Sequence, residues 1–251
     1  MGALAMGLGG LVIIGFLAAL DYPAQKRYSI AFDAWRARVL SAISPDASLE
    51  PNGYLPSNFF DASGINTRPY DRYSGDTLLH VGECSACNLR VTEVHQQSRL
   101  GSEDKKETVE DDVFTGMLIR ARVQMPHPGW VVVNPRRMGV PSQLRPTQVA
   151  SPTISKSYSV AADRPFVAHR ILDPTKQAAL ESFMSQTRQS LRVSYRDNVM
   201  AVGLEGLRLD MGRRPLLFRP IRDGDLEATI RRCEQGVAFV TAVVRTLAPE
   251  T

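Results

Sequence analysis

The residues whose types and spacing could do chemistry lie in one short stretch, Cys84-Ser85-Ala86-Cys87, with His80 before it and His95 after it. A Cys-x-x-Cys pair exchanges electrons as dithiol and disulfide when it opens a helix, because the helix N-terminus lowers the thiol pKa. With the two imidazoles added, Cys84, Cys87, His80 and His95 form a Cys2His2 set that could hold a metal such as zinc. Its second spacing is shorter than structural zinc sites use. The plain alternative is two inert thiols in a surface turn, and it is the default. The other histidines, His127 in a Pro-His-Pro turn and His169, have no Ser, Cys or Asp partner nearby in sequence. The chain carries no nucleophile elbow, phosphate loop, His-Glu-x-x-His or dinucleotide fingerprint. The residues therefore call for no cofactor and name no catalytic group.

The elements that must position these residues come from hydrophobic period. Thr77–Val81 and Leu89–Val94 each predict a strand, which places the Cys84–Cys87 segment in the connection between them. Val113 to Met125 alternates apolar and polar residues, the pattern of a strand wet on one face. Pro126-His127-Pro128-Gly129 predicts a turn, and Trp130–Val133 a strand buried on both faces. The expectation is a hairpin at the centre of a sheet. Tyr54–Pro56 and Asn58–Phe60 predict short segments docked on the sheet, and Tyr70–Asp76 a turn-like cluster. Gly101–Asp112 predicts a solvated charged loop, and Leu191–Gly203 a second hairpin turning at Arg196–Asn198. Asp173-Pro174 is a helix start. From Leu226 to Leu247 apolar residues recur in steps of four and three, an amphipathic helix with Asp223 and Asp225 against its N-terminal dipole. That helix either lies on the sheet or supplies a seam for a homo-oligomer. Phe239 and Val243 widen its apolar face and favour the sheet. The fold class expected is α+β: a largely antiparallel β-sheet flanked by amphipathic helices, preceded by one N-terminal transmembrane helix.

Composition is that of an ordinary globular protein, 43% hydrophobic and 22% charged over 251 residues, with a net charge of +4. The basic residues are scattered, which argues against nucleic acid as a partner. Three cysteines, the third being Cys233, make an odd count that suits a reducing compartment. Met1–Leu20 carries no charged side chain, and as a helix it would be about 30 Å long, enough to cross a bilayer core. Lys26, Arg27, Arg36 and Arg38 follow it, which puts the rest of the chain on the cytoplasmic side. The expected organisation is an anchor over 1–21, a linking amphipathic helix over 22–45 and a cytoplasmic domain over 46–251.

Several segments, in this order and spacing, resemble a bacterial family known as domain-of-unknown-function family 3137. They are Pro45 with Tyr54-Leu55-Pro56, Ser63-Gly64-Ile65, Tyr70 to Asp76, Val91 to Val94, Val113 to Leu118, Ala168 to Pro174 and Val193 to Val202. The chain departs from the family's pattern in having room for one span rather than two, in Arg120, Arg122 and the Pro-His-Pro-Gly turn, and in the Cys84/Cys87 pair. The resemblance implies a bacterial protein with a membrane-spanning N-terminus followed by a cytoplasmic globular domain; with the single uncharged run of this chain, the expectation is a single-pass protein of the inner membrane. The resemblance implies no activity. Two functional readings follow: a non-enzymatic interaction module with a protein partner, or a metal-binding or thiol-redox protein using the Cys84/Cys87 loop with His80 and His95.

Overall fold

The computed structural model describes residues 26–27, 29–98, 106–125, 128–187, 190–212 and 223–248. The 1–20 stretch, Pro126-His127 and Arg213-Arg214 lie outside them. Among the described residues no helix is long and apolar enough to cross a membrane.

Among the described residues nine strands form one sheet in the order β1-β2-β3-β4-β9-β8-β5-β7-β6. They are β1 (Ala47–Glu50), β2 (Arg72–Val81), β3 (Cys84–Ser98), β4 (Lys106–Arg122), β5 (Trp130–Pro135), β6 (Arg145–Pro146), β7 (Tyr158–Ala162), β8 (Ser190–Arg196) and β9 (Val199–Glu205). Every pairing is antiparallel. Together with the helices this makes the chain an α+β protein.

Helix α1 (29–43) enters the sheet's helical face through Leu40, with Val39 and Ile43 beside it. The same face receives α3 (Pro152–Ser157), α4 (Pro165–Ile171), α5 (Pro174–Thr187) and α6 (Asp223–Leu247). The strands meet them with one alternation set, including Leu79, Ala86, Ile119, Val133, Val193 and Val202. Cys233, Val237, Val240, Val243 and Leu247 are all spent on this core, so the apolar stripe of α6 lies on the sheet. Its last turn is closed from below: the Tyr195 hydroxyl donates to Leu247 O at 2.6 Å and Lys176 Nζ to Thr246 O at 3.2 Å. Both satisfy carbonyls that a helix end leaves without partners. At the start of α5, Asp173 Oδ1 accepts from Lys176 N at 2.8 Å, with Pro174 first in the helix.

Among the described residues the opposite face is covered by the short helix α2 (Ser57–Ser63) and its flanks and, over β5 and β7, by Leu144 and Val140. Leu55, Phe60 and Ile65 pack there on Leu78, Cys87, Leu89, Val91 and Leu118.

Four expectations are corrected. Val113–Pro135 is not a central hairpin: β4 pairs with β3 and β9, while β5 pairs with β7 and β8. The two local hairpins β3/β4 and β8/β9 close short loops at low entropic cost, and their joining leaves β5 the far edge of β8. Arg72–Asp76, expected as part of a turn, is the first half of β2. Lys106–Asp112, expected as loop, is strand, paired residue by residue with Thr92–Ser98. Cys84–Cys87 is not a connection but the first turnless stretch of β3, the reversal being made by Gly82 at φ 55 and Glu83. The hairpin at 191–203 is as expected, with Asp197 and Asn198 at φ 51 and 61, the left-handed pair of a two-residue turn.

Candidate functional site

Placing Cys84 and Cys87 on one strand separates them. Residues three apart on a strand face opposite ways and are about 10 Å apart along it, beyond disulfide reach. Cys84 packs against the helical core, whereas Cys87 is fully buried on the α2 face. The Cys87 sulfur accepts the Leu55 N–H at 3.4 Å, and burial pushes its thiol up to about 12. Burial and Glu83 also raise the Cys84 thiol. Neither has the helix N-terminus or cationic neighbour that makes a reactive thiolate.

His80 lies across from Ser85, with Nδ1 2.9 Å from its Oγ and Nε2 3.5 Å from Glu50 Oε1. His95 is ten residues farther along β3, about 30 Å away, beside Glu93 at 3.5 Å and Asp111 at 3.7 Å. The structure therefore does not bring Cys84, Cys87, His80 and His95 together. Among the described residues no group of three or more His, Cys, Asp or Glu is placed to hold a metal. His169 is exposed on α4.

A different set of residues does converge. Pairing across the sheet sets His80, Ser85, Arg120, Ala201 and Ser194 in one lateral row on the α2 face. One row farther out, Val199 pairs with Arg196. Helix α2 stops short of this border, leaving a cleft of about 290 Å³ between its flank and β4, β9 and β8. Phe59 and Ala62 of α2 form one wall, Ala201 and Val199 the floor, and Arg120, Ser194 and Arg196 supply the polar atoms.

The wall is fixed from the sequence upward. Gly64 ends α2 at φ 72, and a Cβ there would sit 2.5 Å from the Trp130 ring, so only glycine lets the helix end dock. Trp130 Nε1 then donates to Ser63 O and to Ser194 Oγ, both at 3.2 Å. The Arg196 guanidinium lies 4.4 Å from the centre of the Trp130 ring and donates to Ala62 O at 2.9 Å. A cation on the last carbonyls of α2 is favourably placed. Asp197 stands 3.3 Å from Arg196 Nε. Arg120 sits over Phe59, 5.7 Å from the ring centre, and no carboxylate among the described residues pairs with it. By contrast Arg68, Arg72, Arg90, Arg137 and Arg208 each meet one. Two guanidinium charges set against the single carboxylate of Asp197 leave the cleft net positive over an apolar floor.

Sequence reasoning missed Arg120, Arg196, Phe59 and Ser194. Arg120 lies at a wet-face position of a predicted strand, whereas Arg196 falls in the predicted turn at Arg196–Asn198 and proves to be the last residue of β8. Their convergence needs the β4–β9–β8 order, which no local pattern contains. Two acids of the Tyr70–Asp76 stretch are occupied elsewhere: Asp71 accepts from Val94 N at 2.7 Å, and Asp76 from Asn88 Nδ2 at 2.8 Å.

No family model matches the chain, and no curated protein does. Among solved structures it is similar to the crystal structure of the mycobacterial trehalose monomycolate transport factor A, TtfA. The identity is 12%, the match covers 68% of this chain and 79% of that one, and the TM-score is 0.29. A likeness this distant carries no functional argument.

Proposed function

We propose that the chain is a non-enzymatic interaction module, tethered to a bacterial inner membrane by its uncharged 1–20 stretch, with the domain on the cytoplasmic side and the α2 face as its binding face. The observation that supports this reading is the cleft itself, where Arg120 lies over Phe59 without an acidic partner among the described residues. An unneutralised guanidinium beside aromatic and apolar surface is a recognition element for an incoming group. The test is a photo-crosslinking side chain in place of Ala62, in the full chain within native membranes, with Arg170 on the exposed flank of α4 as the control position. The expected result is a discrete adduct from position 62 only. Equal labelling at both positions, or none at 62, overturns the reading.

A second reading, from the enzyme class, is favoured by Ser85, His80 and Glu50. Their contacts of 2.9 and 3.5 Å run in the order nucleophile, base and orienting acid. Glu50 is 63% exposed, so water competes for its hold on the imidazole, and the three residues lie outside the cleft. We therefore take them as a cross-strand polar contact. A fluorophosphonate probe that labels Ser85 would reverse that choice.

A further inference from the structure

We propose that the α2 cleft binds a singly anionic amphiphile, one carboxylate or phosphate head on a short apolar stem. This rests on the reading of the α2 face as the binding face and specifies what it takes.

Three donors point to an anionic head. Arg120 offers its guanidinium with no carboxylate partner among the described residues. Arg196 is held flat by the Trp130 ring and by Ala62 O, leaving its Nη2 edge without a partner there. Ser194, 1% exposed and lining the cleft, accepts the Trp130 N–H, and its own hydroxyl proton meets no acceptor among the described residues. A buried hydroxyl that accepts one bond and whose proton is unspent is the third donor for an incoming oxyanion. Planar guanidinium forks suit both carboxylate and phosphate. Asp197 limits the charge that can be taken: one anion neutralises what remains, and a second negative charge would meet its carboxylate.

The stem follows from the other walls. Phe59, Ala62, Val199 and Ala201 present carbon and no polar side-chain atom. A volume of about 290 Å³ lies at the small end of ligand pockets, so it suits a short chain or one ring rather than a nucleotide or a folded segment. The shared chemistry could be met by a soluble acid or by the headgroup and upper chain of an anionic lipid.

Trp130 is a built-in reporter, because it touches both Arg196 and Ser194. The full chain carrying Trp35→Phe leaves it the one tryptophan. Its fluorescence would be titrated with octanoate, methyl phenyl phosphate (a diester, and so a monoanion) and octylammonium, and with vesicles of phosphatidylglycerol or phosphatidylcholine. A saturable change with an anionic probe, absent with octylammonium and at least tenfold weaker in Arg120→Gln and in Ala62→Leu, is expected. Response to the soluble acids alone identifies a free ligand, and response to phosphatidylglycerol alone a lipid one. Both variants alter exposed residues, and an unchanged melting curve shows that they fold. No saturable response to any anionic probe, an equal response to octylammonium, or full affinity in Arg120→Gln overturns the proposal. Should these probes fail while position 62 still crosslinks a partner, the ligand class falls and the interaction reading stands. Binding without any crosslink gives the converse.

Discussion

Arg192 is the largest fully buried side chain among the described residues, and its removal is the sharpest test of how the α2 face is held. Its guanidinium lies 4.9 Å from the centre of the Phe114 ring, donates to Val113 O at 3.2 Å and stands 3.4 Å from Glu205 Oε2. A 3.5 Å contact reaches Ile65 O, just past α2, and Nε has no partner. Arg192 thus bolts the end of α2 to the stretch of β4 beside the irregularity at Val91/Thr92. Burial lowers its pKa, opposed by Glu205. The folded state therefore holds this proton less tightly than the unfolded chain. The resulting cost is constant while both states are charged, and it is relieved only as pH nears arginine's own range, so no slope near neutrality arises from it. Arg192→Met forfeits a charge-assisted hydrogen bond, about 1.5–3 kcal/mol, and a desolvated cation–π contact, about 2 kcal/mol. It returns about 1 kcal/mol by removing the unpartnered Nε. The long contact to Ile65 adds little. The net loss is about 3 kcal/mol, a fall in Tm of about 6–12 °C for a chain of this size. Glu205→Gln keeps an acceptor in place, and Glu205 is 29% exposed with Arg137 at 3.0 Å, so it should cost about 1 kcal/mol. Thermal unfolding followed by circular dichroism reads both. An Arg192→Met variant as stable as the parent, or more so, would refute the reasoning. The guanidinium would then be a buried ion pair that apolar packing replaces without loss.

Three further outcomes are expected. Iodoacetamide should modify Cys84 first, at a rate that is still climbing with pH above 9.0, where that of an ordinary thiol levels off, while the buried Cys87 and Cys233 react only on unfolding; mass spectrometry finding a Cys84–Cys87 disulfide in the native protein would contradict the strand geometry. Because the folded Cys87 pKa is raised from 9.0 to about 12, its contribution is full below pH 9 and is lost as pH climbs towards 12; alkaline unfolding should begin in that window, and a stability curve flat across it would count against the buried assignment. Gly116→Ala puts a Cβ 2.1 Å from Leu204 O across the β4/β9 pair, a clash with backbone that should cost at least about 3 kcal/mol; a melting point within about 2 °C of the parent would show that the two strands can part.

What the sequence made legible was local. The 191–203 hairpin, the Asp173-Pro174 helix start and the stripe of α6 each carry their signal within one element, in period or in turn chemistry. The long arm of β3 and β4 did not, because its outer residues are charged on both faces: Arg72 and Arg90 pair with Glu110 and Asp112 on one, and His95 lies beside Glu93 and Asp111 on the other. A strand without a buried face has no alternation to read. The partnership of β4 with β9 was illegible for another reason. Nothing in either strand names a neighbour some eighty residues away, and Val113–Pro135 satisfied every local rule for a hairpin it does not form.

The cleft inherits that second kind of illegibility, and this ties fold to function. Arg120 and Arg196 sit on strands that become near neighbours only because β9 inserts between β4 and β8. Ser194 joins them because it shares a lateral row with Arg120 and Ala201, two residues from Arg196. Trp130 can brace Arg196 and cap α2 only because β5 pairs with β8 rather than β4. Had the hairpin that the sequence suggests been formed, Trp130 would flank β4 and the two arginines would lose their common wall. The same pairing that denies the chain a central hairpin therefore assembles the α2 cleft, whereas the motif with the most chemical residue types, Cys84 to Cys87, is divided by the strand it lies on.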